Sequence, residues 1–470
     1  ELPDSIIKPV NLKLRGEISE SPLLNDVFLV NVKDLDTINI LVDFNEKARQ
    51  LEANITAPHI NYSGSELNNL AFSMSTDMEN FNFNLGFENI TAGPVDIPKT
   101  VITGNQTNNE LSLNFLSYYE GETLMNLNTK ITGTKERLVF KVNPDSLLLN
   151  KRKWFMPDTN EAVLTENNIT FNDFKLFKDN QVVEFTDKLY NITAPHLALD
   201  FSNFKINELF NYLNPDSKLA IGQLNGNFVI ENPFGQTGII SDLQIKNLEV
   251  LKTDLGTLSL NGNSVSDTNY AFNVGLKGGT IDFDLIGDYT ITTTAADLNL
   301  NLNLNEFKMK ALNTLTLGEI DNADGSFNAK FKVTGTSSNP IYDGTLNFND
   351  AKFNITKLNT KFIMQNETLN VNNAGFSMSN FTILDENNNA FVVSGDIGTK
   401  NFLNPEFDLK LKATNFQILN ATQDDNENLY GKATFNADAK LTGDLQLPKL
   451  GAEFTLGSDT NVTYVLPAAY

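Results

Sequence analysis

The stretch Asp297-Leu298-Asn299-Leu300-Asn301-Leu302-Asn303-Leu304-Asn305 changes between apolar and polar at every step, which a helix cannot accommodate. With 3.6 residues per turn those leucines would scatter around a helix axis; on a strand they fall on one side and the asparagines on the other. The same alternation recurs from end to end, in Leu12-Lys13-Leu14, Phe81-Asn82-Phe83-Asn84-Leu85, Leu111-Ser112-Leu113-Asn114-Phe115, Leu197-Ala198-Leu199-Asp200-Phe201, Leu346-Asn347-Phe348 and Phe407-Asp408-Leu409-Lys410-Leu411. The chain therefore reads as all-β, with one apolar and one Asn-rich wet face on each strand. Turn pairs break the runs at short intervals: Gly278-Gly279, Asp324-Gly325, Asp343-Gly344, Asn232-Pro233 and Asn404-Pro405. Such spacing leaves no room for crossover helices, so a mainly antiparallel meander of roughly 30–40 strands is expected.

Two short stretches have helical spacing instead. Ile206, Leu209, Phe210 and Leu213 form one apolar face that stops at Pro215; Phe307, Ala311, Leu312 and Leu315 form another that stops near Gly318. Each is only two or three turns and needs tertiary packing to persist, so both are expected as plugs or caps on the sheet.

Self-comparison reveals repeats. Phe204-Lys205-Ile206 and Leu209 recur 103 residues later as Phe307-Lys308-Met309 and Leu312; the same offset takes Gly222 to Gly325, Asn225 to Asn328 and Phe228 to Phe331. A third copy begins at Phe416-Gln417-Ile418-Leu419 and continues through Gly431, Phe435, Gly443 and Pro448. Separately, Asn54-Ile55-Thr56-Ala57-Pro58-His59-Ile60 is echoed by Asn191-Ile192-Thr193-Ala194-Pro195-His196-Leu197. Serial β units of this kind build an elongated, quasi-one-dimensional body. The expected divisions are an N-proximal segment (1–190), a first repeat unit (191–290), a second (291–400) and the start of a third (401–470).

At 470 residues the chain exceeds what one compact core supports. Its net charge of −23 repels phosphates, which argues against a nucleic-acid partner. Cysteine is absent, so neither disulfides nor thiolate metal sites contribute. No apolar run reaches the ~18 residues of a membrane-spanning helix. The chain opens at Glu1 without a signal pattern and reads as a segment of a longer polypeptide, with any anchor outside it.

Catalytic signatures are missing: there is no Gly-x-Ser-x-Gly, no phosphate-binding loop, no His-Glu-x-x-His and no dinucleotide fingerprint. The expectation is a protein that is not an enzyme and takes no cofactor. The two histidines, His59 and His196, share the duplicated heptapeptide and read as one structural position at a strand start, since carboxylates at ligand spacing are lacking. Asp321-Asn322-Ala323-Asp324-Gly325 lacks the spacing and closing Glu of a calcium loop and reads as an acidic turn. Asp424-Asp425 and Asp385-Glu386 with Asn387 to Asn389 read as solvated hairpin loops. Asn-x-Thr/Ser triplets at Asn89, Asn105, Asn168, Asn354 and Asn366 arise by chance in a chain where about one residue in seven is Asn.

The apolar faces are what demand a role. They can bury one another in a closed β-sandwich or solenoid, face lipid in a transmembrane barrel, or line an open groove for acyl chains; the single Trp and the helical plugs count against a barrel. For a groove the candidate lining is Phe81, Phe83, Leu85, Leu111, Leu113, Phe115, Leu197, Leu199, Phe201, Leu298, Leu300, Leu302, Leu304, Leu346, Phe348, Phe407, Leu409 and Leu411. A non-catalytic structural or adhesive β-repeat protein of the cell surface is the alternative.

From about Pro340 the chain resembles the TamB family, the translocation and assembly module subunit, in its Bacteroidota style. The resemblance rests on Asn339-Pro340-Ile341-Tyr342-Asp343-Gly344-Thr345-Leu346, on Thr382-Ile383-Leu384-Asp385 leading to Val393-Ser394-Gly395-Asp396-Ile397, and on Asn415-Phe416-Gln417-Ile418-Leu419-Asn420. It continues through Leu429-Tyr430-Gly431 and Thr442-Gly443 to Tyr464-Val465-Leu466-Pro467, while residues 1–130 match in strand style alone. It implies a β-taco, a long curved sheet with a hydrophobic groove, belonging to the AsmA-like, bridge-like lipid-transfer proteins. It further implies a bridge across the bacterial periplasm, anchored in the inner membrane by a helix outside this segment. That bridge would carry phospholipid and work with an outer-membrane barrel of the BamA superfamily in protein secretion and assembly.

Overall fold

The computed structural model describes residues 9–21, 31–293, 295–401 and 403–466. These contain 35 strands and two short helices, α1 (Asn207–Leu213) and α2 (Leu312–Leu315), so the all-β, antiparallel expectation holds. Pro467, the end of the last motif, lies outside the described residues. Two compact units divide the chain, Glu1–Gly238 and Ile239–Tyr470.

In the first unit the strands Asn11–Ile18, Ile38–Asn45, Gln50–Tyr62, Ser65–Thr76, Phe81–Phe87, Thr100–Thr107, Glu110–Tyr119, Glu122–Gly133, Arg137–Val142, Glu161–Thr165 and Asn168–Asn172 pair in that order. A second set, Lys175–Lys178, Gln181–Thr186, His196–Lys205 and Ala220–Glu231, follows. Between the two sets lies a closed core of Val142, Leu147, Trp154, Met156, Phe174, Val183 and Phe204, with Leu199 and Phe201 packed against it.

The second unit runs from Gly238–Val250 to Asn461–Tyr464, each strand bonded mainly to the next. Two long strands carry a broken neighbour: Pro340–Ile355 pairs with both Thr360–Met364 and Thr368–Asn372, and Leu429–Asp444 pairs with both Pro448–Leu456 and Asn461–Tyr464.

The period of two is broken at recurring points, and the breaks explain the repeats. Leu197, Leu199 and Phe201 point one way, and strict alternation would send Phe204 to the wet side. The register instead shifts between Phe201 and Phe204, where Asn203 adopts a left-handed φ of 53°. The same bulge lies between Met378 and Phe381 (Asn380, φ 53°), between Ala413 and Phe416 (Asn415, φ 48°) and between Ile245 and Leu248 (Asn247, φ 52°). An extra residue on one strand returns the next side chain to the apolar face, and Asn tolerates the left-handed region better than other non-Gly residues. The freed N–H groups are satisfied from the neighbouring strand: Asn203 donates to Asn225 Oδ1 and Asn415 to Asn436 Oδ1, both at 2.8 Å, and Asn380 to Ser394 Oγ at 3.0 Å. After three of these bulges sit Phe204, Phe381 and Phe416, at 3%, 7% and 2% exposure.

Several expectations are corrected. Phe307 ends the strand Ala296–Lys308, because another register shift between Leu304 and Phe307 turns it onto the sheet; the helical turns begin only after it. In α1 the expected apolar face is only partly buried: Ile206 is buried and Leu213 half-buried, but Leu209 and Phe210 are exposed, while Glu208 is fully buried. Asp324-Gly325 and Asp343-Gly344 are not turns. The first belongs to a bulge in Ile320–Gly335, with Asn322 and Gly325 at positive φ and Ala323 buried. The second lies inside Pro340–Ile355, where a Cβ on Gly344 would collide with the Phe331 ring that crosses it. The heptapeptide echo has no common structure. Asn54–Ile60 is mid-strand in Gln50–Tyr62, whereas residues 191–195 precede the strand His196–Lys205.

Candidate functional site

Antiparallel register places directly opposed residues on the same face. Leu302 stands between Leu285 and Phe331. That row extends one way through Val274 to Leu260, and the other way through Gly344, Val371, Phe376 and Ile397 to Phe407. Parallel rows add Leu300 beside Val333, Leu304 between Phe283 and Ala329, Leu346 between Ala329 and Leu369, Leu409 beside Leu441, and Leu411 between Val393 and Ala439. Leu298 faces Tyr289, whose ring stacks on Tyr270 at 5.0 Å. Phe348 belongs to a ladder of rings, Phe307, Phe327, Phe348 and Phe381, with successive centroids 4.7–5.7 Å apart. A second ladder runs from Phe353 through Phe362, Phe416 and Phe435 to Phe454.

The first unit has its own apolar face. Phe83 lies between Met74 and Gly104, and Leu113 meets Gly104 from the other side. Leu85 and Phe115 flank Ile102; Phe81 and Leu111 flank Gln106; Leu111 then meets Ile131 and Phe115 meets Leu127. Leu197, Leu199 and Phe201 face Ile230, Phe228 and Gly226.

Of the lining residues expected from sequence, Leu409 is buried and the others are half-buried; of their row neighbours, Ala329, Val371, Val393 and Ala439 are buried. Half-burial is what a sheet face shows when its side chains shield one another laterally but lack a second layer above. The cover is local. Trp154 and its neighbours close over Leu199 and Phe201. In the second unit Met309, with Ala323, Ala351, Met364 and Phe381, forms a buried cluster against which Phe327, Phe348 and Leu369 pack.

The opposite face is wet and self-paired. Asn299 donates to Asp288 at 3.1 Å, Asn305 to Asp282 at 2.8 Å and Lys277 to Asp284 at 2.9 Å. The Lys277 hydrogen bond, with Asn305, holds the Asp284 carboxyl below its usual range against the opposing effect of burial. The alternation fails as a two-faced rule at Ala198 and Val229, which lie opposite each other on the nominally polar side and are both buried. A cleft of 750 Å³ beside the end of α1 is lined by Lys99, Val101, Tyr118, Tyr119 and Pro215.

The polar residues singled out from sequence take structural places. His59 contacts Asn68 Oδ1 at 2.7 Å through Nδ1 and Asp34 at 3.6 Å through Nε2; the Asn68 bond first, then the nearby carboxylates, raises its pKa above 6.5 against desolvation. His196 is buried, with Nε2 accepting the Leu189 N–H and Nδ1 donating to the Ala194 carbonyl. Only His196 sits at a strand start, and its environment differs from that of His59. Among the described residues no cluster of three or more metal-ligating side chains occurs.

Asp385 is not a solvated loop residue. It is fully buried and accepts from the Asn387 and Asn389 N–H groups, the Asn389 amide and the Gln417 N–H at 2.8–2.9 Å. It thereby ties a hairpin turn to the second bulge of Glu406–Ala421. The bulge-following aromatics were missed as lining. Their signal is an Asn-Phe pair at the end of an alternating run, as in Asn203-Phe204, Asn380-Phe381 and Asn415-Phe416.

No curated protein and no solved structure matches the chain. Residues 379–470 match the family described as TamB C-terminal domain. This segment holds the buried Asp385, two of the Asn bulges and the end of the second aromatic ladder, and through it the chain is similar to the TamB family.

Proposed function

We propose that the apolar faces carry the acyl chains of phospholipid between the inner and outer membranes, and that the protein acts without catalysis. The observation that carries this reading is the row from Leu260 through Leu302 to Phe407, apolar or glycine at every position and half-buried except at the buried Val371, on a face whose reverse is wet. Burying a palmitoyl-length chain gains about 0.8 kcal/mol per methylene, on the order of 12 kcal/mol in all. Sliding along such a face costs little, since each lost contact is replaced by an equivalent one. The match of residues 379–470 to the TamB C-terminal domain supports a place in the translocation and assembly module. On that basis we assign the protein to the periplasm, in outer-membrane biogenesis and protein secretion, with a BamA-superfamily barrel as partner. Among the described residues no helix is long and apolar enough to cross a membrane.

Photo-crosslinking residues at Leu300, Leu302 and Leu304 should capture phospholipid in cells, and the same probe at Asn301 should not. A folded protein that captures lipid at none of the three leucines refutes the reading.

A further inference from the structure

Helix α1 lies on the apolar face of the first unit. Its Tyr212 ring meets Phe115 edge-on with centroids 5.5 Å apart, and its hydroxyl sits 3.0 Å from Thr100 Oγ1. Both partners belong to that face: Phe115 stands between Ile102 and Leu127, and Thr100 between Phe87 and Ser117. Tyr212 thus occupies space against the lining that an acyl chain on this row would need.

Apart from the Tyr212 ring and the buried Ile206 that precedes the helix, what holds α1 there is polar. Asn214 donates to the Pro94 carbonyl at 2.8 Å, Asn211 to Asn150 Oδ1 at 3.2 Å, and Tyr119 donates its hydroxyl to Asp216 just beyond the helix. Glu208, fully buried, takes a 3.4 Å bond from Gln181 and faces Arg152 at 3.6 Å, but its Oε2 has no partner. Of the large apolar residues of the helix, Leu209 and Phe210 are exposed and Leu213 is half-buried. In the second unit the corresponding insert is fixed differently, by Met309 and Ala311 buried at 3% and 1%.

These contacts favour reversible attachment. A seven-residue helix does not persist alone, and bonds of this kind exchange for bonds to water with little net change. A buried carboxylate with an unpaired oxygen is a standing cost of the attached state. Release would strand nothing beneath, because the Thr100 hydroxyl also donates to the Pro98 carbonyl at 2.9 Å.

We propose that α1 is a gate on the first unit's lining, with Tyr212 as the constriction that an acyl chain displaces. This rests on the lipid reading above. When attached, the helix interrupts the row Leu85, Ile102, Phe115, Leu127; when lifted, it leaves that row continuous.

Because the chain has no cysteine, the gate can be locked by Asn150→Cys with Asn211→Cys joined by a short bismaleimide, and opened by Tyr212→Ala with Asn214→Ala. Purified protein mixed with phospholipid vesicles is irradiated with a photoreactive residue at Ile102, or at Leu302 as reference. Capture at Ile102 should fall at least fivefold on locking and rise on opening, with Leu302 labelled throughout. Equal capture at Ile102 in both forms, with Leu302 labelled, overturns the gate alone; capture at neither position overturns the lipid reading and the gate together. In the unaltered protein, amide exchange in α1 should be at least tenfold faster than in His196–Lys205 and Ala220–Glu231. Exchange at the strands' rate would also refute a movable helix.

Discussion

Replacing Leu302 by Arg separates the two faces most directly. Leu302 is half-buried between Leu285 and Phe331. Full burial of a leucine side chain is worth about 1.5–3 kcal/mol, so half-burial puts at most about 1.5 kcal/mol at risk. An arginine stem lying along the face recovers part of that while its guanidinium reaches water. The net loss is then about 1 kcal/mol, or roughly 2–4 °C in melting temperature for a unit of this size. Passage of an acyl chain is another matter, because the chain must cover the guanidinium without offering it a partner. Stripping water from an unpaired ion costs several kcal/mol, and about 3 kcal/mol slows a step roughly 100-fold. Asn301→Arg puts the same charge on the wet face between Ile286 and Lys332, where one like-charged neighbour costs about 0.5 kcal/mol and no cargo passes. Transfer of a fluorescent phospholipid between donor and acceptor vesicles, read beside a thermal melt, should therefore fall steeply for Leu302→Arg alone. Equal losses for the two variants would refute the two-faced sheet, and a collapse of the melt for Leu302→Arg would refute the open lining.

Asp385→Ala removes the acceptor of three backbone N–H groups and should cost about 3 kcal/mol or more, read from urea unfolding; a loss under about 1 kcal/mol would contradict its assigned role. At Asn415 the left-handed φ predicts that Gly changes stability by under about 0.5 kcal/mol while Val costs about 1.5 kcal/mol or more, and similar costs would argue against the bulge. The His59 imidazole should titrate above 6.5 by NMR, and Asn68→Ala should lower its midpoint. With the folded midpoint raised, its contribution to stability is complete below the unfolded value of 6.5 and disappears as pH rises through the folded one. An unchanged midpoint in Asn68→Ala would remove Asn68 as the main cause.

The strands were legible because Leu298 to Leu304 admit no other periodicity, and their parity put those leucines on one face. What stayed hidden was where parity resets. Asn203 and Asn415 look in the sequence like the wet-face asparagines Asn299 and Asn301, yet their work is done by the backbone. A left-handed asparagine and a solvated one share a letter, so Phe204 and Phe416 could not be placed. Gly344 was misread because a glycine beneath a ring and a glycine in a turn also look alike. The two copies of the heptapeptide mark a firmer limit. Asn54–Ile60 is held extended by strands on both sides, whereas the second copy carries a histidine, His196, that secures the loop before it. Seven nearly identical residues take two conformations because long-range partners differ, and no local signal carries that.

The meander has a consequence for how each unit comes to be folded. A strand such as Ile281–Ile291 finds its partners immediately before and after it in the chain, in Asn269–Gly278 and Ala296–Lys308. Loop closure is therefore short at each addition, and the last finished strand is always the template for the next. A polypeptide that emerges end first can add hairpins as they appear, without holding early segments open for distant partners. The exposed edge that each addition leaves behind is short-lived while chain remains to be added.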